Sequence, residues 1–304
     1  MDIFITGGSG FIGRSLCQRL MDQGHEVTVL SRSAESAERL YKGVGHCLGD
    51  PTKPGPWQEE AARYQGFINL AGSSIFERWT PENKARILNS RVLSTRHLVQ
   101  AMGMRPDPEP AVLVSASAVG YYGFRGDEEL TEEAEPGDDF LGQVCRQWEA
   151  EAVRAADLGA RVVRARLGIV LGEGGGALDK MLPIFRLGLG GILGSGRQWF
   201  SWIHQADLVA SLLHCLESSA LAGPVNCTAP QPLTNRQMAL ALGRALKRPS
   251  FWPVPAFAVR LALGEFGTVL LEGQRVAPAK LLADGFEFRF PSVEQALADI
   301  FGKG

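Results

Sequence analysis

The chain has 304 residues, 45% hydrophobic and 21% charged. That balance suits one large or two smaller globular domains and excludes an intrinsically disordered chain. Lys plus Arg (31) nearly cancel Asp plus Glu (33), for a formal charge of −2, which gives a nucleic-acid or membrane-surface role no electrostatic support. Glycine is in excess, at 36 of 304 residues or about 12%, against a usual ~7%. The five cysteines are dispersed with no C-x-x-C pair, which predicts reduced thiols. No run of about 18 apolar residues could span a bilayer, and the first residues carry no basic leader ahead of an apolar stretch. A soluble cytoplasmic protein is the expectation.

In chain order, Asp2–Thr6 reads as a buried strand and Arg14–Gln23 as an amphipathic helix ended by Gly24. Glu26–Ser31 is a β-branched strand, and Phe67–Ala71 another. Thr80 and Pro81 open a helix to Met102. Ala111–Ser115 (strand), Phe140–Ala156 (helix) and Arg161–Arg166 (strand) follow. Alternating units with continuously apolar strands predict a doubly wound α/β fold on a parallel sheet covered on both faces. Beyond residue 170 the pattern changes: Gly172–Gly196 is dense in glycine around a helix-like stretch, Lys180–Leu187. Helices Asp207–Glu217 and Asn235–Lys247 and a short strand at Pro224–Asn226 come next, then a Pro-punctuated tail. The expected organisation is a cofactor-binding domain at 1–170 and a smaller α+β substrate lobe at 171–304, with a distinct C-terminal region from about 250.

The strongest motif is Thr6-Gly7-Gly8-Ser9-Gly10-Phe11-Ile12-Gly13, between a strand and a helix. Gly7 permits the tight turn, Gly10 lets backbone approach a pyrophosphate and Gly13 lets the helix pack closely. The N–H groups that open the helix, at Phe11, Ile12 and Gly13, then face the phosphates. About 20 residues on, an acidic residue would hold the ribose hydroxyls of NAD; this chain has Ser31-Arg32-Ser33. Arg32 can grip a 2′-phosphate that a carboxylate would repel, so the expected cofactor is NADP(H). Asp50, after His46–Gly49, either bonds the adenine amine or caps a turn.

The glycine turn, together with Asn69-Leu70-Ala71-Gly72, resembles the extended short-chain dehydrogenase/reductase superfamily. Further motifs narrow the resemblance: Arg78-Trp79-Thr80, Ser90-Arg91, Ser117-Ala118-Val119-Gly120-Tyr121-Tyr122-Gly123, Trp148-Glu149, Ser201-Trp202-Ile203-His204 and Gly285-Phe286-Glu287-Phe288. Together they look like the sugar-epimerase-like group known only as epimerase family proteins, with its own small C-terminal domain. The resemblance implies a Rossmann sheet of about seven strands, cofactor contacts at Leu70, Ala71 and Gly72, and Val170 near the nicotinamide carboxamide. It also places Arg91 where the superfamily usually has Asn. Arg86 and Arg91 sit about 140° apart around one helix; their long side chains can flank the pyrophosphate, or both are simply solvated.

The superfamily's proton-handling pair is a Tyr with a Lys four residues later, beside a Ser on the preceding strand; the Lys lowers the phenol pKa. Ser117 matches that serine. Aligned on Trp148-Glu149, the pair's positions hold Leu141 and Cys145; Leu has no proton to give and Cys is no cation, so Cys145 is either a thiol that reaches the site or a small buried hydrophobe. Tyr121 and Tyr122 are the remaining acid/base candidates, with aromatic packing over the nicotinamide as the alternative. Asp207 is expected to cap the helix it begins, and Glu149 to be structural. Phe185, Arg186, Arg197, Gln198 and Trp199 are candidate pocket residues in a glycine-rich lid. The five dispersed histidines show no H-x-x-x-H, so no metal is expected. Two functions remain: an NADP(H)-dependent oxidoreductase or epimerase acting on a carbonyl or nucleotide-sugar-like substrate, or an NADP(H)-binding sensor with little turnover. Helices Pro81–Met102 and Phe140–Ala156 are where a homodimer would pair.

Overall fold

Seven short apolar runs pair side by side into one sheet. The structure, a computed structural model, describes residues 1–38, 40–106 and 110–302; the last two residues of the expected substrate lobe thus lie outside the described residues. The strands are β1 (Asp2–Thr6), β2 (Glu26–Ser31), β3 (Gly45–Leu48), β4 (Gly66–Asn69), β5 (Val112–Ala118), β6 (Arg161–Leu167) and β7 (Gly223–Cys227). Their spatial order is β7-β6-β5-β4-β1-β2-β3, parallel throughout. The doubly wound α/β fold is therefore as expected. Chain direction across the sheet reverses between β1 and β4, and this switch point opens a crevice at their carboxyl ends.

The longer helices are α1 (Phe11–Asp22), α2 (Pro81–Gly103), α3 (Phe140–Val153), α4 (Gly176–Arg186), α5 (Gln205–Glu217), α6 (Asn235–Ala245) and α7 (Val293–Phe301). One sheet face packs Ile3, Ile5 and Val29 against Leu16 and Leu20 of α1 and Leu208 and Leu212 of α5. The other packs Phe4, Phe67 and Leu113 against Leu98 and Met102 of α2. Thr80 caps α2 by accepting from the Asn83 N–H at 3.2 Å, with Pro81 in the first turn. A separate core gathers Leu178, Trp202, Met238, Leu242, Leu297 and Ile300, all from beyond β6.

Several boundaries differ from the sequence reading. α1 begins at Phe11, because Gly10 already stands at the N-cap. β4 ends at Asn69, so Leu70 and Ala71 leave the ladder. α3 gives way to a tighter turn at Arg154–Leu158. The helix expected at Lys180–Leu187 starts earlier and carries Pro183 within it.

Asp207 is not the cap of α5. His204 takes that position, its Nδ1 accepting from the Ala206 N–H at 3.1 Å. Asp207 sits inside the first turn, and its two carboxylate oxygens accept from the Arg289 and Phe290 N–H groups, each at 2.9 Å. The residue thereby ties the C-terminal segment to the sheet, while burial raises its pKa ahead of the lowering by those bonds. Asp207→Ala leaves the Phe290 N–H buried without an acceptor and the Arg289 N–H without its partner, and should cost about 1–3 kcal/mol in urea unfolding. A loss below about 0.5 kcal/mol would contradict this anchoring role.

Candidate functional site

The crevice is lined first by the glycine turn. Gly7 adopts φ +75 and lies against the next strand's exit: a Cβ there would stand 2.6 Å from the Leu70 carbonyl carbon and 2.8 Å from the Ala71 nitrogen. Gly13 packs on the turn's own backbone, where a Cβ would meet the Gly7 carbonyl oxygen at 2.4 Å. At Gly10 only that same oxygen is near, at 3.2 Å, so space is open beyond it. The opening N–H groups of α1, at Phe11, Ile12 and Gly13, precede the first intrahelical bond from Arg14 to Gly10, and they carry the helix's partial positive charge.

The glycine-dense segment closes on the same turn. A Cβ at Gly175 would sit 2.5 Å from Cγ of Phe11, and Gln205 donates to the Phe11 carbonyl at 3.0 Å and to Ser15 at 3.1 Å. Val170 lies in a short strand, Ile169–Leu171, paired with Trp202–His204. Much of the segment expected as a lid is thus packed structure. Phe185 is buried in the C-terminal core, and Gly191 pairs with Trp252. Gln198 donates to the Leu193 and Leu270 carbonyls, and Trp199 donates to Asp127 at 2.7 Å under the Arg275 guanidinium.

At the end of β2, Arg32 and Ser33 are exposed and Ser31 is buried. Ser33 accepts from the Ser36 N–H at 3.3 Å. Arg32 makes no ion pair among the described residues. Asp50 caps a turn: its Oδ1 accepts from the Thr52 N–H at 2.9 Å and hydroxyl at 2.7 Å. Burial acts to raise the Asp50 pKa, yet these two bonds and the charges of Lys53 and Arg32 bring it below the ordinary carboxylate value.

The two helix arginines part ways. Arg86 is exposed and ion-paired with Glu77, so it serves the loop after β4. Arg91 packs its guanidinium behind Gly72, whose Cβ would stand 3.2 Å from Cζ. It lies 5.3 Å over the Trp148 ring and donates to the Ile87 carbonyl at 3.0 Å. Burial lowers its pKa.

Along β5, β6 and α3 runs a buried charged network. Ser117, at the end of β5, donates to Glu149 Oε1 at 2.7 Å. Arg166, on β6, grips both Glu149 oxygens, Nε to Oε1 at 2.8 Å and Nη2 to Oε2 at 3.0 Å; Arg164 adds a contact at 3.1 Å. Burial alone would weaken the Arg166 charge, but the Glu149 carboxylate overrides it and raises the pKa. Arg166 also donates to the Tyr122 hydroxyl at 2.9 Å, and that hydroxyl donates to Asn226 at 2.6 Å.

Tyr122 is fully buried with its hydroxyl committed at both lone pair and proton. Its pKa is pushed up to about 12, burial outweighing the Arg166 charge. With that proton on Asn226 and a lone pair taken by Arg166, the Tyr122 hydroxyl is held within the network. Tyr121 is half-buried, its ring 3.5 Å from the Arg166 guanidinium carbon, and its hydroxyl makes no hydrogen bond among the described residues. Leu141 packs at Gly120 and Cys145 beside Ala118, the thiol donating to the Ala118 carbonyl at 3.8 Å. Burial pushes that thiol's pKa up to about 12.

Sequence reasoning passed over Arg166, Asn226 and Glu132, which accepts from the Asn226 and Lys280 N–H groups. The signal was present: Arg164 and Arg166 sit among the Val, Ala and Leu residues of a strand that opens on Arg161, and a buried charged residue inside a sheet needs a partner.

A family model for NAD dependent epimerases and dehydratases matches residues 3–227. The chain belongs to that family. A second model, for a domain of unknown function (DUF1731), matches residues 254–300. This family member is 42% identical to a chloroplastic homolog of epimerase family protein SDR39U1 from Arabidopsis thaliana, over 99% of this chain and 86% of that protein. It is 38% identical to epimerase family protein YfhF of Bacillus subtilis, over 99% of this chain and 98% of that one. The crystal structure of human SDR39U1 (isoform 2) with NADPH matches all of both chains, with 38% identity and a TM-score of 0.87. A Thermus thermophilus UDP-glucose 4-epimerase, in complex with NAD, matches at 22% identity and TM-score 0.77 over the whole of both chains, which shows the shared fold. Among the described residues no helix is long and apolar enough to cross a membrane, and no cluster of three or more His, Cys, Asp or Glu is placed to hold a metal.

The buried network makes a stability prediction. Glu149→Gln leaves the Arg166 guanidinium buried without its counter-charge and should cost about 3–5 kcal/mol in chemical denaturation. A loss under about 1 kcal/mol would show that the pair is not held in a desolvated setting.

Proposed function

We propose that this protein binds NADP(H) and acts as an oxidoreductase or epimerase-like enzyme of the extended short-chain type, on a small carbonyl or nucleotide-sugar-like substrate. The observation that carries the reading is Ser31-Arg32-Ser33 at the end of β2, the strand paired with β1, with an exposed Arg32 that makes no ion pair among the described residues. NADPH in the human relative's structure, at 38% identity over the full length, supports the same choice here. The residues present fit the group: the Gly10 opening and the first amides of α1 suit a pyrophosphate, and Arg32 suits a phosphate monoester.

When bound, a nicotinamide cofactor supplies hydride transfer. The chain's own part is to place and to handle protons. Leu70, Ala71 and Gly72 border the adenosine side, Asp50 lies beyond them, and Val170 borders the nicotinamide. Arg91 lends positive charge behind Gly72. Arg86 stays with Glu77 and contributes at most long-range charge. Ser117 gives its proton to Glu149, so its oxygen offers lone pairs outward and favours a substrate hydroxyl as donor. Tyr121 carries the phenol that has a free face, with Arg166 beneath its ring. Tyr122 and Glu149 position these two. In this reading residues 1–170 hold the cofactor and later residues shape the substrate side.

A second reading has a specific observation in its favour. Leu141 and Cys145 occupy the positions of the usual catalytic pair, so an NADP(H)-binding sensor with little turnover is the alternative.

Two measurements test this. Wild type should bind NADPH at least about tenfold tighter than NADH, and Arg32→Ala should bring the two within about threefold; equal binding by the wild type would overturn the cofactor assignment. In an NADPH-oxidation screen over carbonyl compounds and nucleotide sugars, an enzyme should show a substrate whose turnover falls about 100-fold or more in Tyr121→Phe. Tight NADPH binding with no oxidation by any compound would favour the sensor.

A further inference from the structure

Ser31 has a neighbour that bears on cofactor choice. β2 and β3 pair with Val29 opposite His46 and Ser31 opposite Leu48. Opposed residues in a parallel pair project to the same face, so His46 shares the face of Ser31. Its Nε2 lies 2.7 Å from the Ser31 hydroxyl oxygen. That hydroxyl donates to the Ser33 carbonyl at 3.1 Å. A serine hydroxyl has a single proton, so with it on Ser33 the His46 Nε2–H must be the donor to Ser31. Nδ1 then carries no proton, and a proton added there leaves the bond to Ser31 in place.

We propose that His46 is a fourth member of the 2′-phosphate site: it holds Ser31 in place and adds a positive charge that strengthens selection of NADPH over NADH in mildly acidic solution. The proposal rests on the reading of Ser31-Arg32-Ser33 as a phosphate site. It goes beyond that reading in making cofactor preference dependent on pH, through a residue on a different strand.

The charged groups carried by the segments around His46 do not compete for this role. Arg32 follows β2, Glu35 stands in the first turn of the helix Ala34–Glu38, Lys42 leads into β3, and Asp50 and Lys53 lie beyond it. Cys47 is on the other face of β3, where burial first and then Glu60 raise its pKa. Asp50 is held below the ordinary carboxylate value, so it stays negative. Unlike the side-chain types just named, a histidine ordinarily changes charge between about pH 5.5 and 8. The phosphate of the cofactor also titrates near pH 6, but it does so equally in every variant, which makes a comparison of variants the right control.

The test is fluorescence titration with NADPH and with NADH between about pH 8 and about pH 5.5, on the wild type, His46→Gln and His46→Lys. The ratio of the two affinities isolates the 2′-phosphate, since both nucleotides share the pyrophosphate. As pH falls, the ratio should rise roughly three- to tenfold more in the wild type than in His46→Gln. His46→Lys, a fixed cation, should keep a high ratio at every pH. The proposal is overturned if His46→Gln follows the wild type throughout, or if His46→Lys shows the wild-type pH dependence. A wild type with no NADPH preference at any pH is a different result: it refutes the phosphate-site reading itself, and His46 with it.

Discussion

The site depends on one close approach of backbone to backbone. The carbonyl of Gly7 is the meeting point: Gly10 donates to it at 3.1 Å, Gly13 packs on it, and the Gly7 Cα rests on the Leu70–Ala71 peptide. No side chain fits at Gly7 or Gly13 without displacing backbone. That contact fixes where β1 ends, where α1 starts and how near β4 comes, and hence where the free amides of α1 point. It also organises chain much further along. Phe11, the first residue of α1, receives the Gly175–Gly176 backbone on its ring and the Gln205 side chain on its carbonyl. The glycine excess therefore divides between a turn that must admit a ligand and a segment that must pack against that turn.

A buried charge governs the join of β5, β6 and α3. Taking Glu149 and Arg166 out of water is costly, and the fork of two hydrogen bonds between them, with Arg164 and Tyr122 alongside, offsets that cost. The arrangement fixes the hydroxyls of Ser117 and Tyr122, so each becomes part of the scaffold before any substrate arrives. It also explains why Leu141 and Cys145 are tolerated. The positions that would carry a phenol and an ammonium elsewhere in the superfamily here face Gly120 and Ala118, and polar organisation has moved one turn along α3 to Glu149.

The fold was legible because its signals are local. Apolar β-branched runs, a Thr-Pro helix start and a glycine turn between strand and helix each have a short-range cause. What escaped was set by long-range contacts. Asp207 stands at a helix start, where a cap is the default, but its partners are amides about 80 residues away in sequence, at Arg289 and Phe290. Tyr122 lies in the expected loop, yet its partner Asn226 comes from the far edge strand. His46 was unremarkable in sequence, because nothing local links it to Ser31. The glycine-rich segment read as a lid because composition suggests openness, whereas several of those glycines are required by tight contacts.

If the turn at Gly7–Gly13 cradles the pyrophosphate of a dinucleotide, phosphate enters through the open space at Gly10. Its φ of −78 suits any residue, and a Cβ there meets only the Gly7 oxygen, at 3.2 Å, so Gly10→Ala should fold. The added methyl occupies the space through which phosphate must approach. NADPH titration of Gly10→Ala, with circular dichroism confirming the fold, should show affinity reduced by about 100-fold or more, or roughly 3 kcal/mol. A folded Gly10→Ala that binds NADPH as tightly as the wild type would contradict the account.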